Sequence, residues 1–113
     1  MEIVKRVVVS VNNKSEETNA IIDTGAERTM ISEDILLKIG APQWGSSVLV
    51  TVGELKEKKT LYGVMVKMDD CEFGLTVIGG KKTLIGHDFL QLARAIINEV
   101  DGTVKLTKNW IDM

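Results

Sequence analysis

The sequence predicts a mostly β domain that forms a closed or semi-closed barrel with two short helices. Three observations predict this fold class. Short apolar runs rich in valine and isoleucine recur along the chain, and turn-forming residues separate them. Only two segments have the apolar spacing of a helix, and both are short. Many short strands with few helices favour a sheet that closes on itself.

The size and composition of the chain indicate a soluble protein. Its 113 residues suit one domain, which we place at residues 1–113. A net charge of −2 with mixed signs does not indicate a basic surface that would bind nucleic acid or an anionic membrane. No apolar run has the length of a membrane span, and no cleavable signal pattern is present. The single cysteine, Cys71, suits a reducing compartment. We therefore expect a cytoplasmic protein with neither nucleic acid nor membrane as a partner.

The first half of the chain is expected to form a hairpin, a short strand and a helix. The valine-rich first strand is followed by polar residues typical of a turn. Ser32 is expected to cap the helix, with Glu33 and Asp34 near its positive end, and Gly40 is expected to end it. The predicted elements are strands at Ile3–Val11 and 16–22, a β-prone segment at 29–31 and a helix at 33–39.

The second half is expected to form two hairpins and the second helix. Residues 54–59 hold five charges and predict the solvated tip of a long hairpin, and Gly79-Gly80 is expected to close a strand. Asp101-Gly102 is a strong hairpin turn signal. The predicted elements are strands at 48–52, 60–68, 71–78 and 83–86, a helix at 87–93, and two strands within 95–106.

One stretch combines an apolar run with an acid and a turn: Ala20-Ile21-Ile22-Asp23-Thr24-Gly25-Ala26. The apolar run predicts a buried strand, so the acid at its end is expected to lie near apolar walls, where a carboxylate is poorly solvated. Gly25 permits backbone torsions that other residues resist. The chain can therefore turn sharply at this point and display the carboxylate of Asp23.

Asp23-Thr24-Gly25-Ala26 resembles the active-site signature of the aspartic peptidases. A second signature, Leu84-Ile85-Gly86, places two apolar residues and a glycine before a predicted helix, as in the retropepsin-like family. The long hairpin between the two signatures lies where that family has its flap. The resemblance covers nearly the whole chain, from about Val4 to about Leu106, and both signatures occur in the family's order.

This resemblance implies an acid-protease barrel that forms one half of a dimeric active site. Asp23 would be the catalytic acid and base, and the active-site loop would continue through Thr24, Gly25 and Ala26. No cofactor and no metal are implied. The residues that would contact the substrate are Glu27, Ile85 and, in the flap, Val52, Gly53, Glu54 and Leu55.

The chemistry of carboxylate-catalysed peptide hydrolysis explains why a partner is expected. One acid must take a proton from water while another protonates the carbonyl or the leaving amine. Two carboxylates in contact share one proton, and the aspartic protease pair is the standard example. This chain has one Asp-Thr-Gly, so the second must come from another copy. We therefore expect a homodimer that acts on a polypeptide substrate.

Several alternatives stay open at this level. The chain could be a catalytically weak or inactive protease-fold domain that binds extended peptides or mediates assembly, or a fragment of a larger peptidase assembly. Asp23 could cap an ordinary turn. A nucleophilic pair of Cys71 with His87, a zinc site and a phosphate loop at 79–83 are weaker alternatives. One cysteine and one histidine cannot fill a zinc site, and the spacing of a phosphate loop is absent.

Overall fold

The computed structural model describes residues 2–50 and 56–107. The described part contains nine strands and two helices. The strands are β1 (Ile3–Val11), β2 (Lys14–Ile22), β3 (Met30–Ser32), β4 (Gln43–Val50), β5 (Lys56–Met68), β6 (Cys71–Gly80), β7 (Leu84–Ile85), β8 (Ile96–Asn98) and β9 (Thr103–Lys105). The helices are α1 (Glu33–Lys38) and α2 (His87–Leu92).

Six strands form a ring in the order β1-β2-β7-β3-β6-β5, which closes where β5 pairs with β1. β4 lies outside this ring and pairs with β5. The pairs β2–β7 and β3–β6 are parallel, whereas the other pairs are antiparallel. The prediction of a mostly β fold with two short helices is confirmed.

The core fills the ring with aliphatic side chains from alternate strand positions. Val7 and Val9 of β1 and Val66 of β5 are almost fully buried, because successive side chains of a strand point to opposite faces. The rings of Phe73 and Phe89 meet edge to face, with centroids 5.5 Å apart. Phe89 belongs to α2, so this contact fixes the second helix against the ring.

Both helices lie close to their predicted positions, but the predicted cap of the first is wrong. Ser32 precedes α1 without a side-chain hydrogen bond to the helix, because it is also the last residue of β3. Its amide donates instead to Oγ1 of Thr83, at 3.1 Å. Gly40 has a positive φ of 66°, which agrees with its predicted role at the end of α1.

Two predicted strand boundaries are wrong. The charged residues 56–59 belong to β5, where they pair with β4. The hairpin tip predicted at 54–59 is therefore too long, because four of its residues are part of a strand. Gly79 and Gly80 are the last two residues of β6, so this strand runs two residues further than predicted. Both glycines pair with β3, and side chains from elsewhere cover them: the ring of Tyr62 lies over Gly79 and the thioether of Met30 lies over Gly80.

The tail forms its own two-stranded sheet. β8 and β9 pair antiparallel around the turn at Asp101-Gly102, as predicted, and Gly102 has a φ of 68°. Thr107 ties the end of this hairpin to α2 through a 3.0 Å bond from its amide to the carbonyl of Ala93. In the part of the chain that the structure describes, neither helix has the length and apolar character needed to cross a membrane.

Candidate active site

Asp23 follows the last residue of β2, where this strand pairs with β7. The amide of Asp23 donates to the carbonyl of Ile85 at 2.9 Å, and the amide of Ile21 donates to the carbonyl of Thr83 at 3.2 Å. These two bonds continue the parallel pairing of β2 with β7. Asp23 itself is half-buried. The backbone of the first signature is therefore held by the backbone of the second.

The chain turns immediately after Asp23. The amide of Gly25 donates to Oδ1 of Asp23 at 3.0 Å, and the amide of Ala26 donates to the Asp23 carbonyl at 3.2 Å. This contact is the one expected from the alternative in which Asp23 caps an ordinary turn. It uses one carboxylate oxygen. No other described residue donates to this carboxylate, so Oδ2 stays available for chemistry.

The tip of the turn lies at the protein surface. Thr24 and Gly25 are exposed, and the hydroxyl of Thr24 makes no hydrogen bond to any described residue. Thr24 forms one side of a cavity of about 470 Å³. The rest of that cavity comes from α2 and the residues after it: His87, Leu90, Gln91, Arg94, Ala95 and Ile97.

The second signature packs directly against the loop that follows Asp23. The amide of His87 donates to the carbonyl of Ala26 at 2.7 Å, and the amide of Asp88 donates to the carbonyl of Glu27 at 3.2 Å. Gly86 is buried against the same loop backbone. The start of α2 therefore holds both Ala26 and Glu27 in place.

A buried hydrogen-bond network joins the two signatures and was missed from the sequence. Thr29 is fully buried, and its hydroxyl donates to Oδ1 of Asp88 at 2.7 Å while accepting the amide of Gly86 at 3.0 Å. The amide of Thr29 lies 3.0 Å from both oxygens of Asp88. The amide of Phe89 donates to Oδ1 at 2.8 Å. An acid in the first turn of α2 is the only sequence signal for this network.

Replacing Thr29 by valine tests the network, because valine has the shape of threonine without the hydroxyl. We expect the free energy of unfolding to fall by about 2 kcal/mol, since the amide of Gly86 loses its acceptor in a buried site. Urea denaturation at fixed protein concentration measures this change.

The matched control for that variant is Thr29→Ser, which keeps the hydroxyl and loses one methyl group. We expect it to cost about 1 kcal/mol, the usual value for one buried carbon. A valine variant as stable as the wild type would show that the hydroxyl contributes nothing.

A second and larger cavity, of about 750 Å³, begins three residues after Asp23. We call it the Arg28 cavity. Ala26, from the predicted active-site loop, and Glu27, a predicted substrate contact, form part of its wall. The remaining wall consists of Arg28, Met30, Gly74, Leu75, Thr76, Ile78, Leu84 and Asp88.

The side chain of Ile85 does not line this cavity. It is fully buried in the core, whereas its neighbour Leu84 lines the Arg28 cavity. Adjacent strand residues face opposite sides, so only one of the two can face a ligand. The substrate contact at Ile85 stays a prediction, and what the structure shows of this residue is that its carbonyl accepts the amide of Asp23.

The predicted flap residues Val52, Gly53, Glu54 and Leu55 lie outside the described residues. β4 ends at Val50 and β5 begins at Lys56, so the described strands are the two arms that lead to this segment.

The alternative nucleophilic and metal sites receive no support from the described residues. Cys71 is buried in the core cluster, whereas His87 is exposed at the start of α2. Within residues 2–50 and 56–107, no group of three or more histidine, cysteine, aspartate or glutamate side chains could hold a metal ion.

Comparison with known proteins adds one finding to this geometry. A family model described as aspartyl protease matches residues 7–88, which is more than half of the chain and includes both signatures. No curated protein matches the chain.

Proposed function

Because this chain belongs to the retropepsin-like aspartyl protease family, we propose that it is an aspartic endopeptidase that works as a homodimer. Each subunit supplies one Asp23, and a water molecule is activated between the two carboxylates. The observation that carries this proposal is the position of Asp23, half-buried at the end of β2 with one carboxylate oxygen unbonded to any described residue.

The reaction needs two carboxylates in different protonation states. The ionised one takes a proton from the water molecule, which attacks the peptide carbonyl. The protonated one donates to the carbonyl oxygen and, after rearrangement, a proton passes to the leaving amine. A pair of carboxylates in contact carries both states at once, because it shares a single proton and titrates as a unit.

We infer that no acid in the described part of the same chain supplies the second carboxylate. Glu27 is exposed and has no bond to a described residue, whereas Asp88 accepts bonds from Thr29 and Phe89. Asp101 lies in the tail hairpin, bonded to Asn98. A symmetric partner would supply the missing carboxylate without any further acid in this chain.

The exposed turn supports this arrangement. Thr24 and Gly25 are exposed beside a cavity formed by α2 and the residues after it. In a symmetric dimer the two Thr24 hydroxyls would bond across the axis and hold the two Asp23 loops together. Gly25 would offer its backbone to the substrate, Ala26 and Glu27 would line the channel, and residues 52–55 would close over the peptide.

Subunit mixing tests whether two copies of Asp23 act together. Wild-type chains are refolded with an equal amount of Asp23→Asn chains, and peptide hydrolysis is compared with that of the same wild-type chains refolded alone. Random association leaves about one dimer in four fully wild type, so we expect about half of the original activity.

The control for the mixing experiment is the same amount of Asp101→Asn chains, which we expect to add activity rather than remove it. Light scattering at micromolar protein concentration should give the mass of two chains. Unchanged activity in the Asp23→Asn mixture, together with the mass of one chain, would contradict the proposed homodimer.

A further inference from the structure

We propose that Arg28 makes the Arg28 cavity selective for a substrate side chain that ends in a carboxylate, such as glutamate. The inference rests on the proposed function, because it assigns a specificity to the same peptide-binding channel. The cavity is close enough to the reacting centre for this role, since its wall begins at Ala26, whose amide bonds to the carbonyl of Asp23.

The guanidinium of Arg28 is held across the cavity. Its Nη1 donates to the carbonyl of Thr76 at 3.3 Å, so the side chain reaches from the active-site loop to β6. A guanidinium carries five N–H donors in one plane, and the described residues accept from one of its nitrogens. The remaining donors can bind a carboxylate through two parallel hydrogen bonds, the bidentate geometry that arginine favours.

The other charges of the cavity leave Arg28 without an internal counter-ion. No described carboxylate lies within 4.0 Å of its nitrogens. Both oxygens of Asp88 are already engaged by Thr29. The side chain of Glu27 is exposed and has no bond to a described residue, so no partner fixes its carboxylate at the cavity. Arg28 is therefore the one cation among the residues that line this cavity, and no described carboxylate pairs with it.

The floor of the cavity is apolar. Leu75, Ile78 and Leu84 are each less than a tenth exposed, and their side chains come from two different strands. An apolar floor beside a cation that has no described carboxylate partner suits a ligand that is aliphatic along its stem and anionic at its end. Glutamate has this form, since its methylene groups can pack on the floor while its carboxylate reaches Arg28.

The place of the cavity in the chain indicates which substrate side chain it receives. The cavity starts three residues beyond Asp23, so it receives a side chain near the cleaved bond rather than the reacting carbonyl itself. We therefore expect the acidic preference at a position that flanks the cleaved pair.

The test uses sets of peptides that the wild-type enzyme cleaves, with Glu, Gln or Lys placed in turn at each position around the cut. We expect one position at which kcat/KM is about tenfold higher for Glu than for Gln, and lower still for Lys. This preference should shrink as salt is raised, because the charge on Arg28 is exposed. In Arg28→Glu the order should reverse, with Lys preferred over Glu.

Two further variants serve as controls. Lys14→Glu changes the net charge by the same amount on the distant β1–β2 hairpin, and we expect it to keep the wild-type order. Arg28→Lys keeps a cation and should retain part of the preference. Equal kcat/KM for Glu and Gln peptides at every position, or an unchanged order in Arg28→Glu, would overturn the inference.

Binding of the same peptides to Asp23→Asn, measured by fluorescence anisotropy, separates this inference from the proposed function. A Glu preference in binding without any hydrolysis by the wild-type protein would refute the peptidase and support the Arg28 selectivity. Hydrolysis without a Glu preference in either measurement would support the peptidase and refute the selectivity.

Discussion

Replacing Asp23 by asparagine is expected to lower the rate of peptide hydrolysis by roughly a thousandfold or more. An amide can neither take a proton from water nor return one, so both halves of the proposed proton transfer stop. The fold should survive, because the amide oxygen of asparagine can still accept the 3.0 Å bond from the amide of Gly25. Hydrolysis of a peptide mixture is followed by mass spectrometry, and folding is followed by circular dichroism.

The matched control is Asp101→Asn, the same substitution in an exposed hairpin turn. We expect it to leave hydrolysis unchanged. A statine-containing inhibitor, which mimics the tetrahedral intermediate, should compete with the substrate of the wild-type enzyme. Hydrolysis that persists in a folded Asp23→Asn protein would show that Asp23 is not the catalytic acid.

Replacing Gly86 by alanine is expected to produce the largest loss of stability. A Cβ at this position would lie 2.7 Å from the carbonyl carbon of Arg28 and 2.9 Å from the carbonyl oxygen of Ala26. Both are backbone atoms, so neither can rotate away as a side chain could. We expect the free energy of unfolding to fall by about 3 kcal/mol, measured by urea denaturation.

Gly74→Ala is the matched control for this effect, because it adds the same methyl group at a glycine of β6 that has room for it. A Cβ there would meet only the sulfur of Met65, at an ordinary distance of 3.4 Å. We expect this variant to be as stable as the wild type or slightly more stable, since alanine loses less freedom than glycine in a strand. Similar losses in both variants would show that close packing at Gly86 is unimportant.

The sequence predicts the elements whose signals are local. β1 is dense in valine, and the hairpin turn at Asp101-Gly102 follows from its two residues alone. The two signatures also lie within short segments, so they can be recognised before the structure is known. The structure adds that a backbone hydrogen bond joins Asp23 of the first signature to Ile85 of the second.

Features that depend on distant partners could not be predicted in this way. Gly79 and Gly80 form turn signals by composition, yet they lie within β6 because Tyr62 and Met30 cover them. Thr29 and Asp88 are 59 positions apart, so nothing local marks their hydrogen bonds. Tertiary packing overrides local preference at the glycines, and it creates the network at Thr29.

The parallel pairing of β2 with β7 also determines when the turn at Asp23 can be held in its final place. The bond from Asp23 to Ile85 joins residues more than sixty positions apart, so a chain still under synthesis has Asp23 long before its support exists. Contacts of such long range form slowly during folding. A partly synthesised chain therefore carries an unorganised carboxylate. Under the proposed function, this delay would protect neighbouring nascent chains from premature cleavage.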